Sequence, residues 1–362
     1  MKYSRPALLL CLSAICLLVL ARFPTAKTHA GFAHAPLPIE NRAAGVANRL
    51  SQDVKSPATL PSKVSDFDGN SFADYAVCAP GVWNIWYVNY APTTACSALT
   101  CKLYLGGTGT DILVPGDYTL DLSTNFVLFD TTGKFKVGID SPAIIINFNP
   151  QFAWGLNGDT PLAADFIGTS AIDFVVVRSI AGQLYWFVQE NPSGPAMVFA
   201  FGSNGDVLVP GDYDGDGKTD LTVWRPSTGT WYSRGSAFPN TLKAVVFGTV
   251  GDIPLLGNFD ANQGTGNTMD DFAVYRAGTW YILNSSGLPA PVSAYTWGTA
   301  TDIPVPADYD NDNDADIVVY RQITQQWWSY PSINPVVFGL TTNDIPLPAA
   351  YVKCPTPDRL CF

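Results

Sequence analysis

Apolar residues in this chain come in short runs separated by turns rich in Gly, Asp, Asn and Pro, and the runs recur in a fixed order. One run recurs as SKVSDF, ILVPGDY, TPLAADF, VLVPGDY, IPLLGNF, IPVPADY and IPLPAAY. A second is typified by DLTVWRP, DFAVYRA and DIVVYRQ. A third is aromatic: NIWYVNY, QLYWFVQ, TWYSRG, TWYILNS and QWWSYPS. The fourth ends on an aromatic–Gly pair, Phe201-Gly202, Phe247-Gly248, Trp297-Gly298 and Phe338-Gly339, with Leu105-Gly106 and Trp154-Gly155 in that place in the first two periods. Short runs of β-branched and aromatic residues bounded by turn residues predict strands. The residues that close the first run are Asp66, Asp117, Asp165, Asp212, Asn258, Asp308 and Ala350, at spacings of 51, 48, 47, 46, 50 and 42. Four strands in a period near 47 residues make an all-β chain whose unit has the size of a propeller blade. A stacked β-solenoid is the alternative, but its repeats are usually shorter.

The six fourth-strand ends predict six complete blades, while the seven first-type runs leave seven as the alternative. A seventh blade needs three strands from residues 31–60, which show no strand alternation. The last first-type run is therefore expected to help close the ring, since an open propeller leaves sheet edges unpaired. The expected layout is a signal segment over 1–30, a linker over 31–60, the propeller over 61–352 and a Cys-containing tail over 353–362.

The loop after each first run carries the chemistry. In D-Y-D-G-D-G-K-T-D, Asp212, Asp214, Asp216 and Asp220 fall at loop positions 1, 3, 5 and 9. A hard cation such as Ca²⁺ takes six to eight oxygens from carboxylates and carbonyls. Gly215 and Gly217 permit the left-handed backbone of a tight curl, and Lys218 at position 7 offers its carbonyl. An EF-hand needs Glu at position 12 and flanking helices; here that position is Val223, and the flanks VLVP and LTVW read as strands. The loop is therefore expected to bind calcium between the first and second strands of a blade.

Two other loops repeat the pattern: Asp66, Asp68, Asn70 and Asp74 with the carbonyl of Phe72, and Asp308, Asp310, Asp312 and Asp316 with that of Asp314. Asn70 supplies an amide oxygen, which predicts weaker binding in the first loop. The second loop keeps Asp117 and Asp121 but has Thr119 and Asn125 at other positions, so it is marginal. Ile167 and Ala171 make the third metal-free. The fifth keeps Asn258, Asp260, Asn262 and Asp271 but carries an insertion that lengthens the curl.

On the calcium loop, the aromatic–Gly pair and the VYRP-like strand, roughly residues 60–352 resemble the FG-GAP/VCBS repeat family, whose best-known members are the propeller heads of integrin α subunits. The resemblance implies that the innermost strand precedes the calcium loop, and it implies adhesion or recognition roles. Repeats of this kind specify fold far better than function.

Charge and composition narrow the classes. A net charge of −11 and a pI near 4.5 argue against a nucleic-acid partner. A short basic start, MKYSR, followed by PALLLCLSAICLLVL fits a secretory signal cleaved near Ala30, with an uncleaved anchor as the alternative. This predicts an extracytoplasmic domain that is not inserted in a membrane. Cys96 with Cys101 and Cys354 with Cys361 could close small disulfide loops; Cys78 is then left over, unless it pairs with Cys354.

The only histidines are His29 and His34, which removes Ser-His-Asp and Cys-His arrangements from the repeat region. Trp86, Trp186, Trp231, Trp280 and Trp327 recur at one place in successive periods and are read as packing between blades. Arg178, Arg225, Arg276 and Arg321 are read as paired or stacked structural residues. Asp130, Asp140 and Asp206 carry no distinguishing context. The leading expectation is a non-catalytic, calcium-binding module recognising an extracellular protein or glycan. The alternative is a polysaccharide-active hydrolase or lyase, which would need a carboxylate pair about 5–10 Å apart in a cleft outside the calcium loops.

Overall fold

The computed structural model describes residues 66–347 except 80–83, 90–100, 107, 109, 122, 139–147, 170, 191–193, 237–240, 261–267 and 286–290. The expected signal segment, linker, C-terminal tail and the disulfides Cys96–Cys101 and Cys354–Cys361 fall wholly or partly outside the described residues. The described chain is all β. Its strands are β1 (Tyr75–Ala79), β2 (Asn84–Asn89), β3 (Cys101–Gly106), β4 (Ile112–Leu113), β5 (Phe126–Phe129), β6 (Lys134–Gly138), β7 (Phe148–Ala153) and β8 (Thr160–Ala164). There follow β9 (Asp173–Ile180), β10 (Gln183–Gln189), β11 (Met197–Ser203), β12 (Val207–Leu208), β13 (Leu221–Arg225), β14 (Thr230–Arg234), β15 (Leu242–Val246) and β16 (Ile253–Leu255). The last are β17 (Phe272–Arg276), β18 (Thr279–Leu283), β19 (Val292–Thr296), β20 (Ile303–Pro304), β21 (Val318–Arg321), β22 (Gln326–Ser329), β23 (Val336–Val337) and β24 (Ile345–Pro346).

These strands form four-stranded antiparallel sheets arranged as a β-propeller. Five sheets are built from consecutive strands, β4–β7, β8–β11, β12–β15, β16–β19 and β20–β23. A further sheet, in the order β24-β1-β2-β3, is completed from the other end of the propeller. The complete consecutive blades therefore number five, not six or seven. The run IPLPAAY does not found a blade of its own: its Ile345 pairs with Cys78 and its Pro346 with Val77. Loop one correspondingly leads into β1 without joining it to a first strand of its own sheet. The composite sheet is called the first below, and the others the second to sixth in chain order.

Second strands such as β13, β17 and β5 are buried along nearly their whole length, because a blade packs on both faces. Fourth strands alternate, β15 exposing Leu242, Ala244 and Val246, and so mark the outer edge. One apolar cluster runs from the fifth sheet through the sixth to the first and contains Trp280, Trp327 and Tyr75. Another joins the third, fourth and fifth through Trp186, Trp231 and Phe272. Cys78 lies 1% exposed in a third cluster with Phe67, Val88, Phe126 and Leu347, and is a free thiol. The alternative Cys78–Cys354 disulfide is therefore not formed: the thiol is enclosed by apolar side chains.

Candidate metal centres

Each loop begins and ends on a side chain that ties the curl together. In the six loops among the described residues the position 9 side chain accepts the N–H of position 2: Asp74 from Phe67 at 2.7 Å, Asn125 from Tyr118 at 2.8 Å and Asp173 from Phe166 at 2.7 Å. Likewise Asp220 accepts from Tyr213 at 2.9 Å, Asp271 from Phe259 at 2.9 Å and Asp316 from Tyr309 at 2.8 Å. The position 1 side chain accepts N–H groups from inside the curl, as Asp212 does from Gly215 at 2.6 Å and Gly217 at 2.8 Å.

A second set of bonds joins the loops to one another. The N–H just before position 9 donates to the position 1 carbonyl of the preceding loop: Thr124 to Asp66, Ile172 to Asp117, Thr219 to Asp165, Asp270 to Asp212 and Ala315 to Asn258, all at 2.6–2.8 Å. Ala73 donates to Asp308 at 2.7 Å and closes the circle.

Three loops go further. In each, carboxylate oxygens from positions 1, 3 and 9 lie within 4.8 Å of one another: Asp66, Asp68 and Asp74; Asp212, Asp214 and Asp220; Asp308, Asp310 and Asp316. These are the three loops read from the sequence as intact. In all three, positions 4 and 6 take the left-handed conformation, with φ of 72° and 74° at Gly69 and Ser71, 79° and 80° at Gly215 and Gly217, and 60° and 72° at Asn311 and Asn313. Two such residues in a five-residue stretch turn alternate side chains inward.

Position 5 does not join these groups. Asn70, Asp216 and Asp312 each use the side-chain oxygen to accept the N–H of position 7, that is Phe72 at 2.8 Å, Lys218 at 2.9 Å and Asp314 at 2.9 Å. Asp216 also accepts the Ser236 hydroxyl at 2.5 Å. The shared cause is an Asx turn closed on the loop's own backbone.

Electrostatically the three clusters are overloaded with like charge. Burial, with the Asp68 and Asp66 charges adding to it, pushes the Asp74 carboxyl up to about 9. Burial likewise raises Asp220 to about 8, Asp316 to about 7, and Asp66 and Asp308 to about 6. Asp212 is raised as well, by burial first. Buried carboxylates beside one another favour protonation or a bound cation. The donor set fits a hard divalent ion, and Asp74 is 0% exposed with an Oδ1 that has no hydrogen-bond partner.

The second and third loops lack this grouping among the described residues. Thr119 donates its hydroxyl to Asn125 at 3.2 Å in the second, and Ile167 occupies position 3 of the third. Residues 261–267 of the fifth loop lie outside the described residues.

The chain matches no protein-family profile, and no curated protein aligns with it. Several solved structures are similar to it, two of which follow. One is a functionally unknown protein from Desulfotomaculum acetoxidans, 12% identical over 77% of this chain and 84% of that chain, with a TM-score of 0.42. The other is BBS1N, crystallised in complex with ARL6DN and soaked with lead, 12% identical over 83% of this chain and 97% of that chain, with a TM-score of 0.38.

Away from the loops, the recurring arginines are paired and stacked. Arg178, Arg225, Arg276 and Arg321 each place two nitrogens on Asp159, Asp206, Asp252 and Asp302, at 2.5–2.9 Å. They lie over the rings of Phe187, Tyr232, Tyr281 and Trp328, 4.6–5.1 Å from the centroids. Asp206 thus has a defined role that the sequence reading missed. The same series caps a turn: Asp111, Asp159, Asp206, Asp252 and Asp302 accept the N–H three residues earlier. A constant offset of 19 residues, Asp159 to Arg178, Asp206 to Arg225 and Asp302 to Arg321, was the signal that could have found it. Asp130 pairs with Lys136 at 3.2 Å, and Asp140 lies outside the described residues.

The tryptophans pack between blades as expected, Trp231 against Phe272 of the next sheet and Trp327 against Tyr75. Trp186, Trp231, Trp280 and Trp327 are 0–1% exposed, and their Nε1 groups donate to the carbonyls of Phe201, Phe247, Trp297 and Phe338 at 2.8–3.0 Å. The acceptor in each case is the backbone carbonyl of the aromatic residue in the aromatic–Gly pair. The side chain of Trp86 lies outside the described residues.

Proposed function

We propose that this is an extracytoplasmic, calcium-stabilised propeller that recognises a protein or glycan without catalysing a reaction. The observation that carries the cation reading is the coincidence, in three loops, of grouped carboxylates with paired left-handed residues at positions 4 and 6. Asp66, Asp68 and Asp74, Asp212, Asp214 and Asp220, and Asp308, Asp310 and Asp316 would hold the ions. The carbonyls of Phe72, Lys218 and Asp314 stand in the same curls to complete the sets, while Asn70, Asp216 and Asp312 brace each curl through their Asx turns. A bound divalent ion would supply positive charge to carboxylates that burial otherwise drives toward protonation. It would also hold each curl in place where the loop hands its position 1 carbonyl to the next loop.

Recognition is supported by the resemblance to FG-GAP/VCBS repeats and by a scaffold that displays many loops around one ring. The aspartates outside the metal loops that recur in register are committed to arginines and turn N–H groups, which leaves them as framework.

The test is thermal melting with calcium and with EDTA, alongside a glycan and extracellular-matrix array. Native-state ligand at 100 times its Kd stabilises by about 2.7 kcal/mol per site, so calcium is expected to raise the melting temperature measurably. Asp220→Asn should weaken that response, and an array signal should appear in calcium. A melting temperature indifferent to EDTA would sink the cation reading; a stable protein silent on the array would sink the recognition reading.

A further inference from the structure

One position in the repeat is aromatic in four of the six sheets and small in the other two, and in the third sheet a space lies beside it. The second-strand residue that pairs with the buried third-strand ring is Phe129, Trp224, Tyr275 or Tyr320 in the second, fourth, fifth and sixth sheets. Each of these aromatics fills the ground beside the glycine of its own aromatic–Gly pair. An atom of each ring system stands 2.5–3.3 Å from where a Cβ would sit on Gly155, Gly248, Gly298 and Gly339 respectively. In the first sheet the matching residue is Cys78, opposite Trp86, and in the third it is Val177, opposite Trp186. Beside Gly202 the nearest atoms belong to Val223, Leu184 and Asp206 instead.

A cavity of about 350 Å³ opens at this place, between the third sheet and the turn that enters the fourth. Its floor is one face of the sheet. Thr160 pairs with Val177 and Leu184 with Ser179, while Val177 and Ser179 are two residues apart on β9. The opposite wall is the turn Asn204-Gly205-Asp206 running into Leu208 of β12. Gly205, with φ of 90°, has no atom within 4 Å of a would-be Cβ, and the same holds for Gly158 on the rim.

The lining is polar without net charge. Asp206 is the carboxylate of the wall, and Arg225 takes both its oxygens at 2.8 Å. What remains for a ligand is the hydroxyls of Thr160 and Ser179 and the amide of Asn204, set against the apolar Val177, Leu184 and Leu208. Ligand pockets span roughly 300–1,000 Å³ and pair an apolar surface with a few placed polar groups. This one has room for a single ring.

We propose that the cavity is a subsite for one neutral, polyhydroxylated ring, a pyranose unit of a glycan, its C–H face on Val177 and Leu184 and its hydroxyls on Thr160, Ser179 and Asn204. The assignment rests on the recognition reading above and narrows it to a glycan and a place.

The experiment is saturation-transfer-difference NMR of the full chain with methyl β-D-glucopyranoside, methyl β-D-galactopyranoside and N-acetylglucosamine at millimolar concentration. Two variants accompany it. Val177→Tyr installs the ring that the neighbouring sheets carry, and Asn204→Ala trims an exposed turn without touching the core. Wild type should bind at least one sugar. Both variants should weaken binding about tenfold or more, with the Val177→Tyr melting temperature held or raised because a void is filled. Failure of all three sugars on wild type overturns the subsite. Binding that survives both variants also overturns it, while leaving glycan recognition standing elsewhere on the ring. Loss of array signals on wild type with calcium-dependent melting intact removes the recognition reading itself.

Discussion

Asp173 isolates what a loop carboxylate does when no metal group surrounds it. It opens β9 at position 9 of the third loop, is 0% exposed, and accepts the N–H groups of Phe166 at 2.7 Å and Ile167 at 3.1 Å through Oδ2. Its Oδ1 is buried without a partner. Burial, with the Asp165 charge adding to it, raises the carboxyl from 3.8 to about 7. In the second loop an amide does the same work, Asn125 accepting from Tyr118 at 2.8 Å. Asp173→Asn therefore keeps the acceptor and removes the charge. A folded-state pKa above the unfolded value means that the folded form holds its proton more tightly. The resulting stability is complete below about pH 4 and is lost as the pH rises through about 7.

About three pH units at 1.36 kcal/mol each set a ceiling near 4 kcal/mol. The loop is partly open to water, so about half of that, roughly 2 kcal/mol, is the expected change. Urea unfolding of both proteins in EDTA, from about pH 4 to about pH 8, gives the difference in stability. That difference should shift toward Asn by about 2 kcal/mol between acid and pH 7 and then level off. Any fixed cost of the new amide is independent of pH and drops out of the slope. A flat difference, or one that grows in favour of Asp, would refute the burial argument and mean that the carboxylate is stabilised as an anion.

Three further outcomes are expected. Trp231→Phe removes a fully buried indole and its 2.9 Å bond to the Phe247 carbonyl, and should cost about 2–3 kcal/mol in urea unfolding. A cost below about 0.5 kcal/mol would show that the ring is not a packing element. Arg225→Lys keeps the charge but loses the two-point grip on Asp206 and the stack 4.6 Å from Tyr232. It should cost about 1 kcal/mol, against little change if the pair is only a surface contact. Burial pushes the Cys78 thiol far above its ordinary range. It should react with a disulfide reagent only at the unfolding rate, and Cys78→Val should remove that slow thiol while changing stability by less than about 1.5 kcal/mol; fast labelling in native protein would contradict its burial.

The all-β class, the four-strand unit and the three grouped loops were legible because each is written in local spacing. Period-two runs, turn residues and carboxylates at alternate positions all lie within one repeat. What lay outside reach was relational. The run IPLPAAY was expected to help close the ring, and β24 does pair with β1, but the register of a pairing between residues about 270 positions apart was not readable. Asp206 looked featureless because its partner Arg225 lies across a strand and a loop. Asp173 and Asp271 keep position 9 in loops without a complete metal set because the residue has a second task, accepting the N–H of position 2. Asp216 and Asp312 were read as ligands by spacing alone, yet their oxygens close Asx turns on Lys218 and Asp314.

The circle of amide-to-carbonyl bonds from Ala73 to Asp308 has a consequence for how the protein comes apart. Linear repeat arrays melt from their two outer units, whose stability is always the lowest. A closed circle has no outer unit, so the first opening event must break two seams at once, and partial unfolding is suppressed in favour of a single cooperative transition. The short strand β24 is where that property is concentrated. Deleting it leaves the Ala73–Asp308 bond and the apolar contacts between the sixth and first sheets to hold that seam alone, so the seam becomes the weakest in the circle and unfolding should begin there.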